Sequence, residues 1–329
     1  MAATAAARQG SGGAGGAVHR GLHGARHEAR QRTRGRRDVS TVTTKLLGGL
    51  GNQMFQYAAA RALADRTGSE LLLDLSEFAH YTLRRYELDT LRVRAGVLPA
   101  APQPILPGRI ARKARSLVQR MLPARKAAAV YREPSFAFDP SLGQQRPPVA
   151  LEGYWQSEKY FLDDTDAIRR DFTLADEPDA ANRAVLQRMQ GTVAVSLHVR
   201  RGDYVTNPNA AAFHGTCSPG YYRQAVDHIA HRCGPLTLFV FSDDQNWVRA
   251  NMPFDHPTVH VDCNPPDRGV WDMHLMKHCH HHVVANSSFS WWGAWLNPSP
   301  EKIVVAPRRW FTDAAIDTSD LIPASWIRL

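Results

Sequence analysis

At 329 residues, with 43% hydrophobic and 22% charged side chains, the chain has the composition of a globular protein and more length than one core comfortably fills. Its formal charge of +9 is unevenly placed: residues 1–40 hold +6 and residues 99–130 hold +7, leaving −4 for the rest, which excludes a nucleic-acid-binding body. No apolar run spans a membrane and no apolar leader opens the chain, while Cys217, Cys233, Cys263 and Cys279 lie scattered without a C-x-x-C pair, as reduced thiols of a cytoplasmic protein would.

Residues 1–40 are rich in Ala, Gly and Arg and carry too little apolar surface to offset ordering entropy, so they read as a disordered basic tail. Thr41–Leu47 is a strand, Gly48-Gly49-Leu50-Gly51 a tight turn, and Asn52 a candidate cap for a helix over Gln53–Thr67 that stops at Gly68. Glu70–Leu75 is the next strand, completing a βαβ unit. Residues 99–130 form a proline-bounded insert. Within it Ile110, Ala114, Leu117, Val118, Met121 and Leu122 recur at helical spacing opposite five basic residues. That helix either packs on its own domain, the more ordinary outcome, or lies peripherally on an anionic membrane through residues 108–122.

A strand-to-loop passage follows at 149–161, then a helical stretch and acidic loops to about residue 190. The second half alternates again. Strands are predicted at Val193–Val199, Leu236–Phe241, Val259–Asp262, Val283–Ala285 and Ile303–Ala306, and helices near Tyr221–His231, Trp247–Ala250, Asp272–Cys279 and Ser288–Leu296. The expectation is an α/β protein of two Rossmann-like lobes facing a cleft, one over 41–190 and one over 191–329.

Chemistry concentrates at strand ends. The apolar strand Val193–Val199 runs into Arg200 and Arg201, whose fork-shaped guanidinium groups need anionic oxygens such as those of a diphosphate. His198 and Asp203 flank them. Asp243 and Asp244 end the next strand, and Asn286-Ser287-Ser288-Phe289 opens a helix whose free N–H groups suit phosphate. More ordinary roles stand beside these: Asp244, Ser287 and Ser288 as helix caps, and Trp291, Trp292 and Trp295 as core rather than a sugar platform. His278 and His280–His282 are consecutive enough to diverge, which argues against a metal centre.

Taken together, these segments resemble glycosyltransferase family 11, the inverting α-1,2-fucosyltransferases. The residues that carry the resemblance are Gly48-Gly49-Leu50-Gly51-Asn52-Gln53-Met54-Phe55-Gln56-Tyr57-Ala58, Gly153-x-x-Gln156-Ser157-Glu158-Lys159-Tyr160-Phe161 and His198-Val199-Arg200-Arg201-Gly202-Asp203-Tyr204. After them come Phe241-Ser242-Asp243-Asp244, Asp272-x-x-Leu275-Met276-x-x-Cys279, Ala285-Asn286-Ser287-Ser288-Phe289-Ser290-Trp291-Trp292-Gly293 and Ala306-Pro307-Arg308-Arg309-Trp310-Phe311.

The resemblance implies the glycosyltransferase B architecture, with GDP-β-L-fucose on the C-terminal lobe and a galactose-terminated glycan or lipid-linked oligosaccharide against the N-terminal lobe. It implies L-fucose transfer to a galactoside 2-hydroxyl, without a cofactor or divalent metal, in surface-polysaccharide or glycan synthesis. Arg200 would grip the diphosphate, completed by Arg201 and Asp203. Ser287 and Ser288 would contact phosphate, and His198, Asp243 and Asp244 would lie near the nucleoside. Asp272, His281, Asn286 and Phe289 join the expected substrate-binding set, and Gly51, Asn52 and Gln53 the acceptor side. His198 and Asp203 are the candidate bases. The rival is an NAD-dependent oxidoreductase using the Gly49-x-Gly51 turn, weakened by Met54 in place of the third small residue.

Overall fold

Two alternating runs of short strands and helices close into two parallel sheets. The computed structural model describes residues 40–79, 84–99 and 128–329; the basic tail and the amphipathic helix expected at 108–122 lie outside these residues. Ser40–Leu329 forms one unit.

The first sheet holds β1 (Thr41–Lys45), β2 (Glu70–Asp74), β3 (Gly96–Val97), β4 (Ala129–Arg132) and β5 (Val149–Glu152), in the order β3-β2-β1-β5-β4. Helix α1 (Leu50–Thr67) packs against it, with Met54, Phe55, Tyr57 and five alanines buried. Gly68 ends α1 in the left-handed region at φ +62°, where its N–H reaches Asp65 O, a conformation glycine adopts without a Cβ clash.

Helices α2 (Thr165–Asp171) and α3 (Ala180–Gln190) lead to the second sheet. It holds β6 (Ala194–Val199), β7 (Thr237–Ser242), β8 (Thr258–Val261), β9 (His281–Val283), β10 (Val304–Ala306) and β11 (Ile327–Arg328). Read from β8, the order is β8-β7-β6-β9-β10-β11, the 3-2-1-4-5-6 order of a doubly wound sheet. Every residue of β6 is buried, as a central parallel strand requires. Between the strands run α4 (Gly202–Thr206), α5 (Pro208–His214), α6 (Pro219–Cys233), α7 (Gln245–Asn251), α8 (Gly269–Lys277) and α9 (Ser288–Trp295). The expected boundary at 190/191 falls between α3 and β6, although α9 of the second run packs on α1 of the first. No helix among the described residues is long and apolar enough to cross a membrane.

Two expectations shift. The strand predicted at Val283–Ala285 lies at His281–Val283, because a histidine is accommodated in the sheet. His282 is fully buried, with Nδ1 2.8 Å from Ser196 Oγ and Nε2 accepting from Asn297 Nδ2 at 2.9 Å. Both ring nitrogens are therefore partnered, and burial holds the imidazole far below its usual pKa, neutral. The helix predicted from Gln53 with an Asn52 cap begins instead at Leu50, with Gly49 at its N-cap, which releases the Asn52 side chain for tertiary bonds.

Candidate active site

In a doubly wound sheet the ligand crevice lies beyond the carboxyl ends of the strands, where the order reverses. Here that point separates β6 from β9, so Arg200-Arg201-Gly202-Asp203 and the start of α9 face one crevice. The first sheet reverses between β1 and β5, whose following loops are Gly48–Asn52 and Gly153–Ser157. The two reversal points meet. Asn52 Oδ1 accepts from Gln156 Nε2 and from Ser288 Oγ, each at 2.8 Å, and Trp292 Nε1 donates to Gly51 O at 2.9 Å. A Cβ on Gly51 would stand 2.6 Å from Ser288 C, so only glycine permits this approach.

At the end of β6 the charges interlock. Arg200 reaches Asp203 with one terminal nitrogen and Asp243 Oδ2 with the other, the latter at 2.7 Å, and its guanidinium lies 5.2 Å from the Tyr204 ring centre. Arg201 bonds Asp244 Oδ2 at 3.2 Å and stacks 3.6 Å from the Trp247 ring centre, while its backbone N–H donates to Asp243 Oδ1 at 2.8 Å. Gly202 leaves room for this: a Cβ there would lie 2.4 Å from Asp243 Oδ2. Asp203 is shared, since Arg84 of the first-sheet lobe donates to its Oδ2 at 2.8 Å. Three guanidinium groups thus balance three carboxylates. Arg200 uses two of its five N–H donors on these carboxylates.

His198, the last inward residue before Val199, is 5% exposed, and its Nδ1 has no hydrogen-bond partner among the described residues. Burial, and secondarily the Arg200 charge, lower its pKa to about 3. It is a neutral imidazole beside Phe289, whose ring centre lies 5.5 Å away, and a poor base at neutral pH. Asp203, with both oxygens on arginines, positions Arg84 and Arg200. Asp272 on α8 accepts from Asn264 Nδ2 at 2.8 Å, and burial pushes its pKa up to about 6 against that bond.

Several expected ligand-binding residues make hydrogen bonds within the fold. Gln53 is fully buried and bonds Gly48 O, Arg85 O and Glu87 N, so it pins the 85–87 segment. Asn286 donates to the carbonyls of His214 and Trp310. Ser287 caps α9 by accepting from Phe289 N, Asp244 caps α7 by accepting from Trp247 N, and Ser288 turns its hydroxyl to Asn52. His281 starts β9 at the end away from the crevice, opposite Val195, where it bonds Cys233 Sγ and Ile303 N. His280 meanwhile accepts from Ala194 N, so the three successive histidines serve three separate sets of partners.

The three tryptophans of α9 are core: Trp291 and Trp292 are fully buried, with ring centres 4.5 and 4.8 Å from that of Phe55 on α1. The dinucleotide reading also fails here. Gly51 is pressed against α9, where a pyrophosphate would have to lie, and Asp74 caps its own turn by accepting from Ser76 N. Sequence reasoning missed Arg84, whose signal was an Arg-Arg pair without a strand before it. It also missed the Tyr204–His214 stack, 4.3 Å between ring centres and 2° from parallel, which depends on the unforeseen α4 and α5.

Residues 143–329 match the profile of glycosyl transferase family 11. The chain is 34% identical over 298 residues to an alpha-1,2-colitosyltransferase of Escherichia coli, an overlap of 88% of this chain and 99% of the relative. It is 33% identical over 321 residues to the O-antigen biosynthesis glycosyltransferase WbnK of Escherichia coli, covering 86% and 99%. Against galactoside alpha-(1,2)-fucosyltransferase 1 of Aotus azarae the identity is 26% over 258 residues, covering 76% of this chain and 63% of that one.

Proposed function

This chain belongs to glycosyl transferase family 11, and we propose that it moves L-fucose from GDP-β-L-fucose to the 2-hydroxyl of a galactoside, with inversion, in building a surface polysaccharide. The observation that carries this reading is Arg200, held by two carboxylates at the reversal point of the second sheet, with donors to spare beside the N-terminus of α9. The names of the relatives favour a 6-deoxy sugar donor, an α-1,2 linkage and O-antigen synthesis.

The acceptor oxygen bonds to the anomeric carbon as the bond from that carbon to the β-phosphate oxygen breaks. The electron pair leaves with GDP, and the hydroxyl proton passes to a base in the crevice. Charge develops on the leaving diphosphate, so the dominant demand is for fixed positive charge there, which Arg200 and the α9 N-terminus supply. With arginines in that role, no divalent cation is required. The reaction belongs in the cytoplasm.

Colitose is L-fucose without its 3-hydroxyl, and the 34% relative is named for it. The defining experiment therefore offers GDP-L-fucose and its 3-deoxy analogue, in chelator, with β-galactosides as acceptors, and assigns the product by NMR. An α-1,2-linked product is expected. A different linkage, or transfer only from another nucleotide sugar, would overturn the assignment.

A further inference from the structure

One guanidinium of the charge cluster comes from the opposite sheet. Arg84 belongs to the first-sheet lobe, yet it bonds Asp203, which follows β6 of the second. The segment behind it is fixed by buried partners. Gln53 Nε2 donates to Arg85 O at 2.8 Å, Glu87 N donates to Gln53 Oε1 at 2.9 Å, and Leu50 N donates to Glu87 Oε2 at 3.0 Å. Arg85 itself crosses to the backbone carbonyl of Asp267. The Arg84 side chain runs past Gly49, with its Nε 3.7 Å from where a Cβ would stand, so the glycine turn of the first sheet serves as its track.

We infer that Arg84 is a donor-binding residue: its guanidinium leaves Asp203 for the nucleotide diphosphate, so that the phosphates are held from both sheets at once. This rests on the nucleotide-sugar reading above and extends it to a residue outside the strand-end motifs. The pairing within the cluster and its exposure favour such a step. Arg84, Arg200 and Arg201 are each paired with Asp203, Asp243 or Asp244, so no guanidinium of the cluster is without a carboxylate partner. Arg200 and Arg201 are 21% and 18% exposed and clamped by carboxylates and rings, so they stay in place. The Arg84–Asp203 pair is the most open of the four, at 37% and 39% exposure. An ion pair so wet contributes little to stability and exchanges readily. A diphosphate offers more charge, in a geometry that matches the guanidinium fork. The exchange leaves Asp203 on Arg200 and ties the lobe carrying Gly48–Asn52 to the bound donor.

The test is binding of GDP and of guanosine to the wild-type chain, Arg84→Ala and Arg84→Lys, with thermal melting to confirm that each is folded. The expected result is a loss of about tenfold in GDP affinity for Arg84→Ala, a smaller loss for Arg84→Lys, and unchanged guanosine affinity. Equal GDP affinity in Arg84→Ala and wild type overturns the role of Arg84 while leaving the proposed function standing. The same fractional loss for GDP and guanosine overturns it too, by making Arg84 a structural support. A wild-type chain that does not prefer GDP to guanosine overturns the nucleotide-sugar reading itself.

Discussion

Burial gives two polar residues, His198 and Asp272, protonation behaviour unlike their free forms. His198 stays uncharged throughout the neutral range, a neutral imidazole next to Arg200 and Phe289. Asp272, with its pKa raised to about 6, binds its proton more tightly in the folded chain than in the unfolded one. Between the unfolded value near 4 and the folded value near 6, the native state therefore holds more protons, and stability falls as pH rises through that window before levelling off. Asp272→Asn keeps an oxygen for Asn264 and removes the titration. Its melting temperature should exceed that of the wild type above pH 6 and converge with it below about pH 4. A variant less stable at pH 7 than the wild type would show that the carboxylate makes a favourable contact in its charged form.

Residue identity was legible where a strand delivered it. Arg200, Arg201 and Asp203 follow β6, and Asp243 and Asp244 follow β7, as their positions predicted. Which of them faces a ligand was not legible. The same Asn or Gln can bind substrate or satisfy backbone groups, and only three-dimensional neighbours show that Gln53 and Asn286 do the latter.

At the scale of elements, the junction of α1 and α9 carries the geometry. The Gly48–Asn52 loop and the first turn of α9 touch at backbone distance, and the Trp291, Trp292 and Phe55 rings fill the space behind. Gly51→Ala would place a methyl group 2.6–2.7 Å from Ser288 C and Phe289 N, both backbone atoms that move only with their helix. Overpacking of this kind costs about 1–3 kcal/mol. Melting should fall by a few degrees, and transfer activity should fall further than that stability loss explains, because α9 helps frame the proposed diphosphate site. Unchanged melting and activity in Gly51→Ala would show that the contact is not needed.

The strongly periodic elements were readable from sequence: β1, β6, β7, α1 and α6 lie within a few residues of their predicted places. β9 was misplaced because its histidines are tolerated by tertiary partners, which hydropathy cannot register. β3 and β11 have two residues each and take their form from the sheet rather than from local propensity.

For the whole molecule, the basic charge of the sequence is a misleading guide. It lies mainly in residues 1–40 and 99–130, while the crevice holds arginines matched one for one by aspartates. On the proposed reading, a nucleotide diphosphate is recognised by Arg200 and Arg201, held in place where the two parallel sheets meet. Calorimetry in chelator with GDP-L-fucose, GDP-mannose and UDP-galactose, on the wild-type chain and on Arg200→Ala, tests this directly. The account predicts binding of the guanosine diphosphate sugars with a preference for fucose, no binding of UDP-galactose, and a loss on the order of 10² or more in donor use by folded Arg200→Ala. Undiminished binding and turnover in that variant, or dependence of the wild type on added metal, would contradict it.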